Sequence, residues 1–170
     1  VLCVLKQFHY NIEEMLRDKA PLFLLLENIQ DPGNLGTMLR TGEGAGVSGI
    51  IMSRDTVDLY NPKVIRSTMG SIYRVPFYYV EDFAAAVHQV QQAGVSVYAA
   101  HLRGKNSYAC QDYTKGTAFL IGNEGNGLRE ETAELADCYI RIPMEGKVES
   151  LNAAVASSIL MYEAHRQRAI

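Results

Sequence analysis

The sequence predicts an α/β fold, a mostly parallel sheet with helices on both faces. Two observations carry that expectation. Six apolar runs of strand length, each stopped by polar, Gly or Pro residues, alternate with segments of helical spacing, the order that βαβ units produce. The runs are also apolar nearly throughout, as strands buried on both faces are.

The first run is "PLFLLLE" (21–27), followed by the helical "NLGTMLRTGEGAG". "GIIMS" (49–53) is the second, with "NPKVIRSTMG" as its helix. "VPFYYV" (75–80) leads into "EDFAAAVHQVQQAG", where Glu81 and Asp82 suit the positive end of a helix dipole and Gly94 marks the stop. "VSVYAAH" (95–101), "TAFLIG" (117–122) and "CYIRIP" (138–143) complete the strands. "LREETAELA" is the helix between the last two, and "SLNAAVASSILMYEAHRQRAI" closes the chain as another. Residues 1–20 fit this alternation poorly and read as a linker or the tail of a preceding domain; residues 21–170 form the α/β domain.

A chain of 170 residues suits one such domain. Its apolar runs are too short to cross a bilayer. Cys3, Cys110 and Cys138 form no C-x-x-C pair and have no histidines at ligand spacing, so they read as reduced thiols in a cytoplasm, with no metal site. A net charge of -3 does not mark the chain as a nucleic-acid binder.

In open parallel sheets, ligands bind beyond the carboxyl ends of the strands. Three polar clusters fall there: "ENIQDPGNLGTMLR", "GNEGNGL" and "PMEGKVESLN". Turns and N-caps explain any one of them. They do not explain why Asn28, Asn34, Asn123, Asn126 and Asn152 gather at one end of a sheet. Gly44, Gly46 and Gly49 match G-x-G-x-x-G but follow a helix and precede a strand, the reverse of a dinucleotide site. G-x-x-x-x-G-K-[ST], G-x-S-x-G and H-E-x-x-H do not occur.

"ENIQDPGNLGTMLRTGEGAGV", "FLIGNEGNGL" and "IRIPMEGKVESLNAAVASSILMYE", in that order, resemble the three signature motifs of the SpoU/TrmH branch of the SPOUT RNA methyltransferases. The resemblance implies an α/β domain with a C-terminal deep trefoil knot, S-adenosylmethionine bound in the knot, and a homodimer. It implies methyl transfer to a ribose 2′-hydroxyl of RNA, ribosomal before transfer RNA. By position, Gly122, Ile142 and Leu151 would contact the cofactor through backbone, and Ala100 and Leu102 would line its pocket. Asn34, Arg40, Glu124, Ser150 and Asn152 match the polar residues around the transfer site. Ser150 or Asn152 is also a good N-cap for the last helix.

Arg40 is an uncomfortable base, because guanidinium stays protonated in proteins. A split role is expected: Arg40 grips the phosphate beside the target ribose and stabilises the developing alkoxide, while the proton leaves to a phosphate oxygen, to water or transiently to Arg40. Arg54, Lys63, Arg66, Arg74, Arg103 and Lys105 flank the same sheet ends as a basic rim. Many relatives carry a separate N-terminal RNA-binding domain, and residues 1–20 are expected to be its tail. The competing expectations are an RNA-binding or ribosome-assembly protein without catalysis, and a dinucleotide enzyme. In the last helix, Leu151, Val155, Ile159 and Tyr162 are expected to face the core, leaving Ala154, Ser158 and Met161 for the partner.

Overall fold

The computed structural model describes residues 6–169; Cys3 lies outside the described residues. The elements run α1 (Ile12–Met15), β1 (Leu22–Leu26), α2 (Pro32–Ala45), β2 (Gly49–Ser53), α3 (Pro62–Thr68), β3 (Phe77–Val80), α4 (Phe83–Gln92), β4 (Ser96–Ala100), β5 (Asn106–Ser107), β6 (Thr117–Ile121), α5 (Glu130–Ala133), β7 (Cys138–Arg141) and α6 (Ala153–Arg168). All six apolar runs contain strands, and together with the two-residue β5 they form one parallel sheet of seven strands in the order β3-β2-β1-β6-β4-β7-β5.

Side-chain alternation along β1 divides the core. Leu22, Leu24 and Leu26 face a layer that includes Leu35, Met38 and Leu39 of α2 and Leu160 and Met161 of α6. Phe23 and Leu25 face the other layer, with Val87 and Val90 of α4 and with Ile12 and Met15 of α1. The central strands β1, β2 and β6 therefore bury both faces, which is why their sequences are apolar without alternation. Residues 11–16, inside the segment read as a linker, are thereby docked on the domain, with Asn11 capping α1 through its side chain.

The termini follow the signals read from sequence. Asp82 caps α4, Asn61 caps α3, and Gly94 follows α4 with φ 82°. Gly46 ends α2 in the left-handed region and Gly49 opens β2, so the glycine triplet is a helix-to-strand turn and no phosphate cradle.

The faces of α6 are the reverse of the expectation. Ala154, Ser157, Leu160, Met161 and Ala164 are buried, whereas Val155 is 48% and Tyr162 50% exposed. The reason is close approach to α2, where Met161 Sδ lies 3.7 Å from the Cβ position of Gly42. Small residues let the two helices meet, so the bulkier β-branched and aromatic side chains are displaced outward.

The connection between β4 and β5 positions the site. Strand β7 lies between these two consecutive strands, so residues 101–105 strap across its carboxyl end. His101 N–H donates to the Ile140 carbonyl at 3.0 Å. A Cβ on Gly104 would stand 2.8 Å from the Ile140 carbonyl carbon, so only glycine permits that approach. The close crossing of strap and strand lies in the part of the chain where the resemblance implies the knot.

Candidate active site

The turn after β1 explains the first polar cluster. Glu27 is 1% exposed, and its carboxylate accepts from Arg129 N–H at 2.8 Å and from the Thr132 hydroxyl at 2.5 Å. Asn28 takes a positive φ of 53°, tolerated better by asparagine than by most residues. Asp31 then caps α2, accepting from Asn34 N–H at 2.7 Å, with Pro32 opening the first turn.

The turn after β6 is stitched to it. Asn123 and Gly127 exchange backbone hydrogen bonds at 3.0 and 2.9 Å. The Asn123 side-chain oxygen accepts from Gly125 and Asn126 N–H, and its amide donates to the Asn28 carbonyl at 2.8 Å. A Cβ on Gly122 would lie 2.2 Å from the Gly127 carbonyl carbon, so the turn folds back onto bare backbone.

Three side chains from three separate segments then form one chain of hydrogen bonds. Glu124 Oε1 accepts from the Asn34 side-chain amide at 3.1 Å, and Asn34 Oδ1 accepts from the Asn152 amide at 3.0 Å. Asn152 Oδ1 in turn accepts from Ala154 and Val155 N–H, which makes it the N-cap of α6. Glu124 also accepts from Gln30 and Asp31 N–H at 3.1 and 3.0 Å. Burial pushes the Glu124 carboxyl up, but the Asn34 amide and these backbone donors together outweigh it and hold the group below its usual range. Glu124 is therefore an ionised organiser engaged by three donors from the neighbouring turn and helix.

Beside this chain lies a cavity of about 320 Å³ at the carboxyl ends of β6, β4 and β7. Ala100, Leu102, Gly122, Ile142 and Leu151 all line it, together with Glu124 and Ser150. The apolar side chain of Leu102 is 60% exposed at the strap. Arg40 stands two helical turns beyond Asn34, exposed and without an ion pair to any described residue.

Several cavity residues and one support escaped the sequence reading. His101 and Arg141 lie at strand ends, and Met144 on the segment leading to Ser150. His101 Nδ1 accepts from Arg103 N–H at 3.1 Å, so a neutral ring carries its proton on Nε2. Burial, and then the Arg103 charge, push this imidazole below its ordinary pKa. Glu27 was the legible one: an acid directly after five apolar strand residues has to find donors.

The basic rim is partly neutralised. Arg54 pairs with Glu81 at 2.8 Å, Arg74 with Glu43 and Arg103 with Glu130. Lys63, Arg66 and Lys105 make no ion pair with a described residue. No cluster of three metal-ligating side chains occurs among the described residues, and no described helix is long and apolar enough to cross a membrane.

The sequence pattern of the SpoU rRNA Methylase family matches residues 21–162. The 23S rRNA (guanosine(2553)-2'-O)-methyltransferase RlmP of Bacillus subtilis (strain 168) is 37% identical over 82% of this chain and 56% of its own length. The SpoU methyltransferase AviRb from Streptomyces viridochromogenes superposes with a TM-score of 0.88 at 30% identity, over 94% of this chain and 64% of that one. The AdoMet-bound rRNA methyltransferase from Sinorhizobium meliloti is 40% identical with a TM-score of 0.80, over 88% of this chain and 57% of that one. This chain spans about half to two thirds of the length of the curated relatives it matches.

Proposed function

We propose, from the premise that this chain belongs to the SpoU rRNA Methylase family, that it catalyses methyl transfer from S-adenosylmethionine to a ribose 2′-hydroxyl of RNA, with ribosomal RNA of the large-subunit type as the substrate. The observation that carries the reading is the Glu124–Asn34–Asn152 chain beside the cavity, because it unites residues from all three motifs at one place.

The cavity suits the cofactor. Its volume of about 320 Å³ falls at the small end of ordinary ligand clefts, and Leu102, Ile142 and Leu151 offer apolar surface to an adenine. Gly122 offers the cavity backbone alone, its Cβ side being filled by the returning Gly127–Leu128 backbone. Glu124 and Glu149 supply negative charge on the wall, which favours a cationic ligand. When bound, S-adenosylmethionine supplies an activated methyl group on a positively charged sulfur.

The protein's task is then alignment, which can contribute about 7 to 11 kcal/mol. Ser150 lines the cavity near the committed Asn34–Asn152 pair and orients the ribose. Arg40 grips the adjoining phosphate and stabilises charge developing on the 2′-oxygen. Glu124 is held ionised by three donors and acts as scaffold, so the proton leaves to a phosphate oxygen or to water. A cytoplasmic location accords with that substrate. The exposed Val155 and Tyr162 on α6 make that face the contact of a homodimer.

The test is calorimetry with S-adenosylmethionine and S-adenosylhomocysteine, followed by transfer of labelled methyl groups to ribosomal RNA. Micromolar binding with 2′-O-methylation is expected. Binding without transfer would favour an assembly protein that has lost catalysis.

A further inference from the structure

A second recess lies at the opposite edge of the sheet, on edge strand β3 and the loop that follows β2. It measures about 530 Å³ and is lined by Phe8, Tyr60, Phe77 and Tyr78, with Arg54 and Asp58 as its charged groups. Phe8 stacks on Tyr10 with centroids 5.9 Å apart and planes 17° from parallel, yet remains 39% exposed. Tyr78, on the edge strand, is likewise 39% exposed. The Phe8 segment is held in place by its N–H, which donates to the Tyr60 hydroxyl at 3.0 Å.

The wall of this recess is bonded directly to the loop that leads from β1 into α2 and Asn34. Val57 N–H donates to the Ile29 carbonyl at 2.8 Å, Ile29 N–H to the Thr56 hydroxyl at 3.3 Å, and the Gln30 amide to the Asp55 carbonyl at 2.5 Å. Recess and candidate active site therefore lie on either side of one loop. The recess chemistry is that of a nucleotide: open aromatic faces for stacking, a carboxylate and a guanidinium. Asp58 Oδ1 accepts from Tyr60 N–H at 2.9 Å, and Oδ2 has no hydrogen-bond donor among the described residues. Arg54 is tied to Glu81 only through a pair whose side chains are 70% and 77% exposed, weak enough to be exchanged for a phosphate.

We propose that this recess is a second RNA subsite, which takes one unstacked base of the substrate, guanine in preference to uracil, against Tyr78 and Phe8. Asp58 accepts from the two neighbouring donors on the guanine edge, and Arg54 meets the phosphate. Stacking on aromatic rings is how unpaired RNA bases are ordinarily held. The inference rests on the reading of the chain as an RNA methyltransferase and deepens it, since it adds a requirement for an unpaired base close to the methylated ribose.

The experiment measures binding of short single-stranded RNA, guanosine-containing or all-uridine, together with methylation of ribosomal RNA and the affinity for S-adenosylhomocysteine. Tyr78→Ala is expected to weaken guanosine-RNA binding and raise the KM for RNA by about tenfold, with kcat and S-adenosylhomocysteine affinity unchanged. Tyr78→Phe is expected to restore both, and Asp58→Asn to remove the advantage of guanosine over uridine. Wild-type RNA affinity and KM in Tyr78→Ala overturn the subsite while leaving the methyltransferase reading intact, as they would if the recess docks a protein segment. A wild-type chain that binds neither S-adenosylhomocysteine nor RNA overturns that reading, and the subsite with it.

Discussion

Arg40 is the residue on which the proposed chemistry turns, and its surroundings set it apart from three of the other arginines at the sheet ends. Arg54, Arg74 and Arg103 are engaged with glutamates, whereas Arg40 is exposed with no ion pair to a described residue. A guanidinium left free on the helix that carries Asn34 is available to a phosphate. Arg40→Ala is expected to slow single-turnover methyl transfer by about 100- to 1,000-fold, the usual cost of one charge-stabilising donor, with cofactor affinity unchanged. Arg40→Lys is expected to rescue little, because an ammonium cannot reproduce the two-pronged grip. Wild-type transfer by Arg40→Ala would remove the residue from the mechanism, and lost cofactor binding would make its role structural. Asn152 shows that two readings of one residue need not compete: it is both the N-cap of α6 and the donor to Asn34.

At the scale of elements, the site is assembled by turns that touch one another. The turn after β6 depends on Gly122, where a Cβ would lie 2.2 Å from both the Gly127 carbonyl carbon and the Leu128 nitrogen. These are backbone atoms and cannot swing aside. Gly122→Ala is expected to cost about 1 to 3 kcal/mol or more in overpacking, lowering Tm by roughly 2 to 4 °C per kcal/mol in a domain of this size. Cofactor affinity should fall with it, because Asn123 and Glu124 leave their partners Asn28 and Asn34. Gly125→Ala is the control: the Asn123 oxygen lies 3.6 Å from its Cβ position, an ordinary contact. Calorimetric scans and cofactor titrations on both variants check this, and an unperturbed Gly122→Ala would mean that the turn is not needed in this form. Two elements were illegible for a simple reason. β5 is only Asn106–Ser107 and α1 only Ile12–Met15, each too short to show a period.

At the scale of the molecule, the outward face of α6 is the proposed contact of a homodimer. Val155 and Tyr162 lie seven residues apart, two turns on one stripe, and are about half exposed. A dimer is expected in light scattering at micromolar concentration, and Val155→Asp is expected to give a folded monomer with an unchanged circular dichroism spectrum. A wild-type monomer would refute that assignment. By itself, the sequence determined the parallel α/β fold, since strands buried on both faces must be apolar throughout. Three ordered motifs also told the family and the residues to inspect. Tertiary structure alone decided which face of α6 is buried, because close approach to Gly42 favours small residues that a periodicity argument assigns to the surface. It alone decided that Glu124, Asn34 and Asn152 touch, being separated by 90 and 118 positions along the chain. Hydrogen bonds between segments so distant depend on strand order, and local pattern carries no information about that order.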